Sequence, residues 1–254
     1  MLDRSAAVVS RVPSPYAGRV LTSGTALAKN GLFLLQVLVT LVVSFVPAVL
    51  SVAVANRVSV HNKDLSFLPI LVGLGLTGVL LWFLIGQLLR NPWSSRYIYN
   101  KTLAEFEERP DCVVDLTNPD AILLEVIPRR NWGKLTLENA EDQGFLCIDP
   151  EARQLLFEGD KNRYRIPAET VLSCEVEVMN PSESRSAPIA CVVLKFRDER
   201  IGEREAPLLP RRTISGNHLG TNYVERAHEL HRRIQSVFGE KSLVEATAGS
   251  AREF

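Results

Sequence analysis

A chain of 254 residues holds one large or two small domains. Its 29 Lys and Arg balance 29 Asp and Glu, and from Arg90 onward the carboxylates outnumber the cations, so the clustered positive charge of a nucleic-acid surface is lacking. The four cysteines, Cys112, Cys147, Cys174 and Cys191, are widely spaced, with no Cys-x-x-Cys pair and no histidine placed to complete a zinc site. This argues against a disulfide framework and reads as buried free thiols.

Residues 1–30 contain Pro13, Pro15 and Gly18 and are expected to be a disordered cytoplasmic segment. Two apolar runs free of charge follow, about 31–55 and 67–89, each as long as the roughly 20 residues a bilayer-spanning helix needs. Pro47 inside the first is expected to kink it, and Pro69 lies at the start of the second, where proline costs least. Ala53-Val54-Ala55 resembles a signal-peptide cleavage site, but the polar residues ahead of the run and its length favour a retained span. The segment 31–90 therefore reads as a two-helix transmembrane hairpin.

Arg4, Arg11, Arg19 and Lys29 precede the hairpin and Arg90, Arg96 and Lys101 follow it, while the connection carries only Arg57 and Lys63 with Asp64 beside them. The positive-inside bias gives a multi-pass cell-membrane protein with both termini cytoplasmic. Trp93, Tyr97 and Tyr99 are placed as interfacial anchors at the exit of the second span. Ser44, Ala48, Ser51 and Ala55 in the first span, with Gly73 and Thr77 in the second, recur at helical spacing and are candidate packing positions between helices or between copies. The string Gly73-Leu74-Gly75-Leu76-Thr77-Gly78 matches a dinucleotide fingerprint only formally, because it lies inside an apolar span. Gln36 and Gln87, near the span ends, are expected to reach the interface.

A juxtamembrane helix or linker is expected over 91–110, capped by Asn91 and Pro92 and closed by Arg109-Pro110. A soluble domain follows over 111–239. Short strands are expected at Ala121–Ile127, Lys134–Glu138, Gly144–Asp149, Gln154–Glu158, Arg163–Ile166, Leu172–Val178, Ile189–Arg197 and Arg204–Leu209, separated by turn sequences. Tyr164 and Ile166 alternate with Arg163 and Arg165, the pattern of a sheet wet on one side. The last element is a helix with Tyr223, Ala227, Leu230, Ile234 and Val237 along one stripe, an Asn222/Glu225 capping box and Gly239 as its C-terminal cap. The tail 240–254 is expected to be disordered.

This order of elements resembles the pleckstrin-homology-like superfold, including GRAM and bacterial PH-like domains. The stretches that carry the resemblance are Gly144-Phe145-Leu146-Cys147-Ile148-Asp149, Leu155-Leu156-Phe157-Glu158-Gly159 and Tyr164-Arg165-Ile166-Pro167-Ala168-Glu169-Thr170-Val171. The resemblance implies an α+β membrane protein, in which a PH-like antiparallel β-barrel with a C-terminal capping helix follows the transmembrane α-hairpin. In PH-like domains that bind inositol phosphates the basic residues sit in an early strand-turn-strand, and Arg129, Arg130, Trp132 and Lys134 match that place by order, as candidates for contact with lipid headgroups.

His228 and His231 have a spacing that lets two ligands face one metal, yet no third ligand is evident and they read as surface residues. No nucleophile elbow, phosphate loop, zinc-protease helix or kinase signature occurs, so no catalytic residue, metal or cofactor is assigned. The expectation is a membrane-anchored interaction or scaffold module that docks a protein partner or self-associates. The alternatives are a subunit of a transport or envelope-maintenance complex and a module that binds anionic lipid.

Overall fold

The structure, a computed structural model, describes residues 7–61, 67–90, 93–132, 140–179, 189–211 and 222–238. It divides into two compact units, one of Leu27–Ile98 and one combining Met1–Ala26 with Tyr99–Phe254.

The first unit is built on α1 (Ser23–His61), α2 (Phe67–Arg90) and the start of α3 (Trp93–Glu107). α1 exceeds the expected span at both ends and runs on through Pro47. Both α1 and α2 are long and apolar enough to cross a membrane. Their burial pattern inverts that of a soluble protein: Gln36, Ser44, Ser51, Ala55, Gly73 and Thr77 are buried, whereas Leu34, Leu38, Val42, Val49, Val79 and Trp82 are exposed, Trp82 by 84 %. Small residues let the two helix backbones approach closely. At Gly73 the approach is so close that a Cβ would overlap the Ser51 side chain and lie 2.9 Å from the Pro47 carbonyl oxygen. Ser44 and Ser51 satisfy their hydroxyls within α1, donating to the carbonyls of Thr40 and Ala48. Gln36, near the end of its span, is buried and accepts the Trp93 backbone N–H at 2.7 Å, one of the orphan donors at the start of α3.

The second unit holds eight strands: β1 (Val8–Arg11), β2 (Ile122–Val126), β3 (Asp142–Asp149), β4 (Gln154–Gly159), β5 (Asn162–Pro167), β6 (Val171–Val178), β7 (Ala190–Asp198) and β8 (Gly202–Pro210). They form one sheet in the order β1-β5-β4-β3-β2-β8-β7-β6, with every neighbouring pair antiparallel. The expected strand at Lys134–Glu138 lies outside the described residues; the other seven are found within two residues of their expected bounds. The β7–β8 turn places Gly202 at φ +79, a conformation side chains resist.

The last helix, α4 (Tyr223–Phe238), lies against one face of the sheet and buries Ala227, Leu230, Ile234, Val237 and Phe238 among Leu124, Leu146, Leu194 and Phe196. Each fully buried aliphatic side chain here contributes roughly 2 kcal/mol. The Asn222 side chain accepts the Glu225 N–H at 2.9 Å, so the cap forms as its sequence indicates. Gly239 is outside the described residues.

Two expectations are corrected. The segment 1–30 is not without structure from Ala7 onward: β1 pairs with β5 from Val8↔Arg165 to Arg11↔Asn162, and Thr22 caps α1 by accepting the Thr25 N–H. A short strand added to an edge is held by backbone hydrogen bonds and needs little apolar pattern of its own. Nor is α3 a free linker, since Tyr99, Leu103 and Phe106 join Val20, Leu123 and Phe145 in a second apolar cluster. Tyr99, placed as an interfacial anchor, meets Phe145 edge-on at 5.6 Å between ring centres. All five residues of β2 are consequently buried, and the sheet there is not wet on one side.

Candidate functional site

The β2–β3 connection, the β4–β5 turn and the β7–β8 hairpin converge around a polar cavity of about 180 Å³. Its walls are Val126, Pro128, Arg129, Glu141, Asp142, Asn162, Tyr164, Arg204, Glu205 and Pro207. Register explains the convergence: Leu124–Val126 pair with Leu208–Pro210, and Val126 faces Asp142, so both ends of the β2–β3 connection open beside β8.

The Asp142 carboxylate is the best-satisfied group, accepting the backbone N–H groups of Gln143, Lys161 and Asn162 and the Asn162 side-chain amide, all at 2.8–3.0 Å. Burial nevertheless holds its pKa above the ordinary aspartate value, against those hydrogen bonds. Tyr164 is pushed up to about 12, again by burial, so its hydroxyl keeps its proton. Arg204 lies over the Tyr164 ring, 5.2 Å from its centre, and reaches the Tyr164 hydroxyl at 3.3 Å and Asp198 at 3.5 Å, both long contacts.

The β4–β5 turn also anchors a buried charge cluster. Arg109 donates to Glu158 Oε1 and to the Gly159 carbonyl, both at 2.7 Å, and to the Tyr16 carbonyl at 3.2 Å. Glu158 also accepts the Val113 N–H and the Arg163 Nε–H, while Asp160 accepts the N–H groups of Val20 and Leu21. Arg109, Glu158 and Asp160 side chains are fully buried. The chain entering the apolar hairpin and the chain leaving it are thus gripped by one turn, which also supplies Asn162 to the cavity.

Of the four headgroup candidates, the structure brings Arg129 to the cavity. Its guanidinium is already held by Glu177 through two hydrogen bonds and by Glu205 through a third, which raises its pKa. Arg130 pairs with Glu141 at the exposed surface. Trp132 stacks under Arg129 at 4.7 Å and donates its indole N–H to the Ile127 carbonyl; Lys134 lies outside the described residues. Arg129 and Arg130 are thus each paired with carboxylates. His231 bonds the Cys174 carbonyl of β6 through Nε2, and among the described residues no group of three or more His, Cys, Asp or Glu is placed to hold a metal.

Tyr164, Arg204, Asn162 and Asp142 were not singled out as site residues by their sequence. Tyr164 read as core and Arg204 as the start of a strand, because their meeting depends on pairing across the sheet. The described residues of the cavity wall offer hydrogen bonds and charges of both signs. A scan against protein-family models finds no match to this chain, and neither curated proteins nor solved structures yield one.

Proposed function

We propose that the protein is a membrane-anchored interaction module, in which a transmembrane hairpin with both ends cytoplasmic confines a PH-like domain to the membrane surface, where it docks a protein partner. The observation that carries this is the inverted hairpin: polar and small residues inside, large aliphatic and aromatic residues outside along two helices of 39 and 24 residues. In water such a surface is unstable; in lipid it is solvated. The strand order, two meanders joined through β2 and β8 and followed by one covering helix, supports the PH-like reading of the domain.

For docking, the proposed mode is addition of a strand along Glu175–Val178 of β6, a terminal strand of the sheet whose Cys174 carbonyl is already bonded by His231. Tethering raises the local concentration of that edge, so a weak interface suffices. Fluorescent-protein fusions at the C-terminus and an epitope inserted between His61 and Phe67 test the topology in whole cells. A fluorescent fusion and an epitope reached only from outside are expected; an accessible C-terminus or a protein extracted by carbonate would reject the anchor. A photo-crosslinker at Glu175 tests the edge. The expected product is one defined adduct heavier than the 28.2 kDa chain, lost on Val176→Pro; absence of any adduct at Glu175 and Glu177 would reject docking there.

The pairing of Arg129 and Arg130 with carboxylates weighs against a site for anionic lipid, and liposome co-sedimentation is expected to depend little on anionic lipid content.

A further inference from the structure

We infer that the cavity bounded by Arg204, Tyr164, Asn162, Glu141 and Glu205 binds a small zwitterion, a ligand that carries an oxyanion and a primary ammonium group side by side. The argument is an inventory of hydrogen-bonding capacity. Arg129 and Asp142 are used up by partners within the domain, so neither defines the ligand. Arg204 has five N–H groups and, among the described residues, makes two side-chain hydrogen bonds, both long, beside its stacking on the Tyr164 ring; the Tyr164 hydroxyl accepts from Arg204 while its own proton finds no acceptor among the described residues. These two side chains form a corner of donors, which suits one oxyanion.

The rest of the wall has the opposite character. Asn162 commits an amide N–H to Asp142, and its carbonyl oxygen has no side-chain partner among the described residues. Glu205 gives one carboxylate oxygen to Arg129 and Glu141 gives one to Arg130, and the second oxygen of each has no partner among the described residues. Three acceptors suit the three donors of a primary ammonium. The charges agree: two arginines stand against three carboxylates in the lining, so a polyphosphate is repelled, while a simple cation leaves the Arg204 corner unfilled. The volume, about 180 Å³, equals that of about six waters at roughly 30 Å³ each, enough for phosphoethanolamine or a small α-amino acid.

The ligand chemistry has two sources, the headgroup of an aminophospholipid and a free solute. The inference goes beyond the docking role and stands apart from it, because a titration in detergent needs neither bilayer nor protein partner. Full-length protein in a maltoside detergent is titrated calorimetrically with phosphoethanolamine, glycine, phosphocholine and inorganic phosphate. Saturable binding of phosphoethanolamine or glycine is expected, weaker by about tenfold for phosphocholine, which lacks ammonium N–H donors, and for phosphate, which lacks the ammonium altogether. Tyr164→Phe, which removes one hydroxyl and leaves the ring packing intact, and Arg204→Gln are each expected to weaken binding by about tenfold, and Glu141→Gln on the rim by about threefold.

Repeating the phosphoethanolamine titration in nanodiscs with and without phosphatidylethanolamine assigns the source. Loss of free sites in the discs that contain the aminophospholipid supports the lipid headgroup, and retained sites support the solute. Equal affinity for phosphate and phosphoethanolamine, no saturable binding by either zwitterion, or binding indifferent to both Tyr164→Phe and Glu141→Gln would overturn the inference.

Discussion

The two units of this chain bury opposite things. In the hairpin the interior is Gln36, Ser44, Ser51, Gly73 and Thr77 and the exterior is leucine, valine and aromatic; in the sheet unit the interior is Phe145, Phe196, Leu194 and Ile234, and buried charges such as Arg109 and Glu158 come in pairs of opposite sign. The difference shows what drives each. Burial of apolar surface from water explains the sheet unit, whereas in the membrane setting proposed for it the hairpin gains nothing by hiding leucine and is held by close backbone packing. A mutation of one kind should therefore damage one unit and spare the other.

The largest effect is expected at the charge cluster. Glu158→Ala removes the partner of a fully buried Arg109 and frees the Val113 N–H, at a cost of about 3–5 kcal/mol to the sheet unit. Urea denaturation of the full chain in detergent should show an early loss of tertiary signal, while the far-ultraviolet helix signal of the hairpin persists. Simultaneous loss of both signals would mean that the units do not respond separately.

Next in size is Gly73→Ala. The added Cβ overlaps the Ser51 side chain, and forcing the helices apart is expected to destabilise the hairpin by about 1–3 kcal/mol. Gly75→Ala is the control, because its Cβ meets nothing within 4 Å and alanine is the better helix former. Thermal unfolding in detergent should rank Gly73→Ala below the native chain and Gly75→Ala level with it or above; equal behaviour of the two variants would deny the tight approach.

These positions also show what was legible in the sequence. Much of the hairpin packing face was readable, because helical spacing of small residues is local information: Ser44, Ser51, Ala55, Gly73 and Thr77 are buried, while Ala48 is only partly so. The strands from Gln154 to Val178 and the stripe of α4 were readable for the same reason. What was not legible depends on partners distant in sequence. Ala7 and the β1 residue Val9 join a core built from residues more than a hundred positions away, and the prolines and glycine that follow the strand hid it. Phe106 and Arg109 looked like the end of a linker until the sheet supplied Phe145 and Glu158. The cavity shares this origin: Asn162 and Tyr164 lie on β5 and Arg204 on β8, and no spacing along the chain brings the two strands together.

A smaller effect is expected at the cap of α4. Asn222→Ala loses the hydrogen bond to the Glu225 N–H and should cost about 1 kcal/mol, visible as a shift in the urea midpoint of the sheet unit with an unchanged slope. A changed slope would mean instead that α4 had detached.

The smallest effect concerns a charge pair that water reaches, in contrast to the enclosed cluster around Glu158. Arg129 holds Glu177 by two hydrogen bonds, and these keep the Glu177 carboxyl below its ordinary pKa, with a small opposing contribution from burial. A depressed acid stabilises the fold wherever the unfolded chain would also be ionised, and that stabilisation fades as pH falls through the folded-state value. The Arg129 side chain is 45 % exposed, so solvent screening limits the pair to about 0.2–1 kcal/mol. Glu177→Gln should therefore lower stability slightly at pH 7, and the gap to the native chain should close as pH drops below the ordinary glutamate value of about 4.3. Raised salt should narrow the same gap at pH 7, since ions screen an exposed pair more than a buried one. A gap that widens in acid would show that the Glu177 carboxyl is not held below its ordinary pKa in the fold.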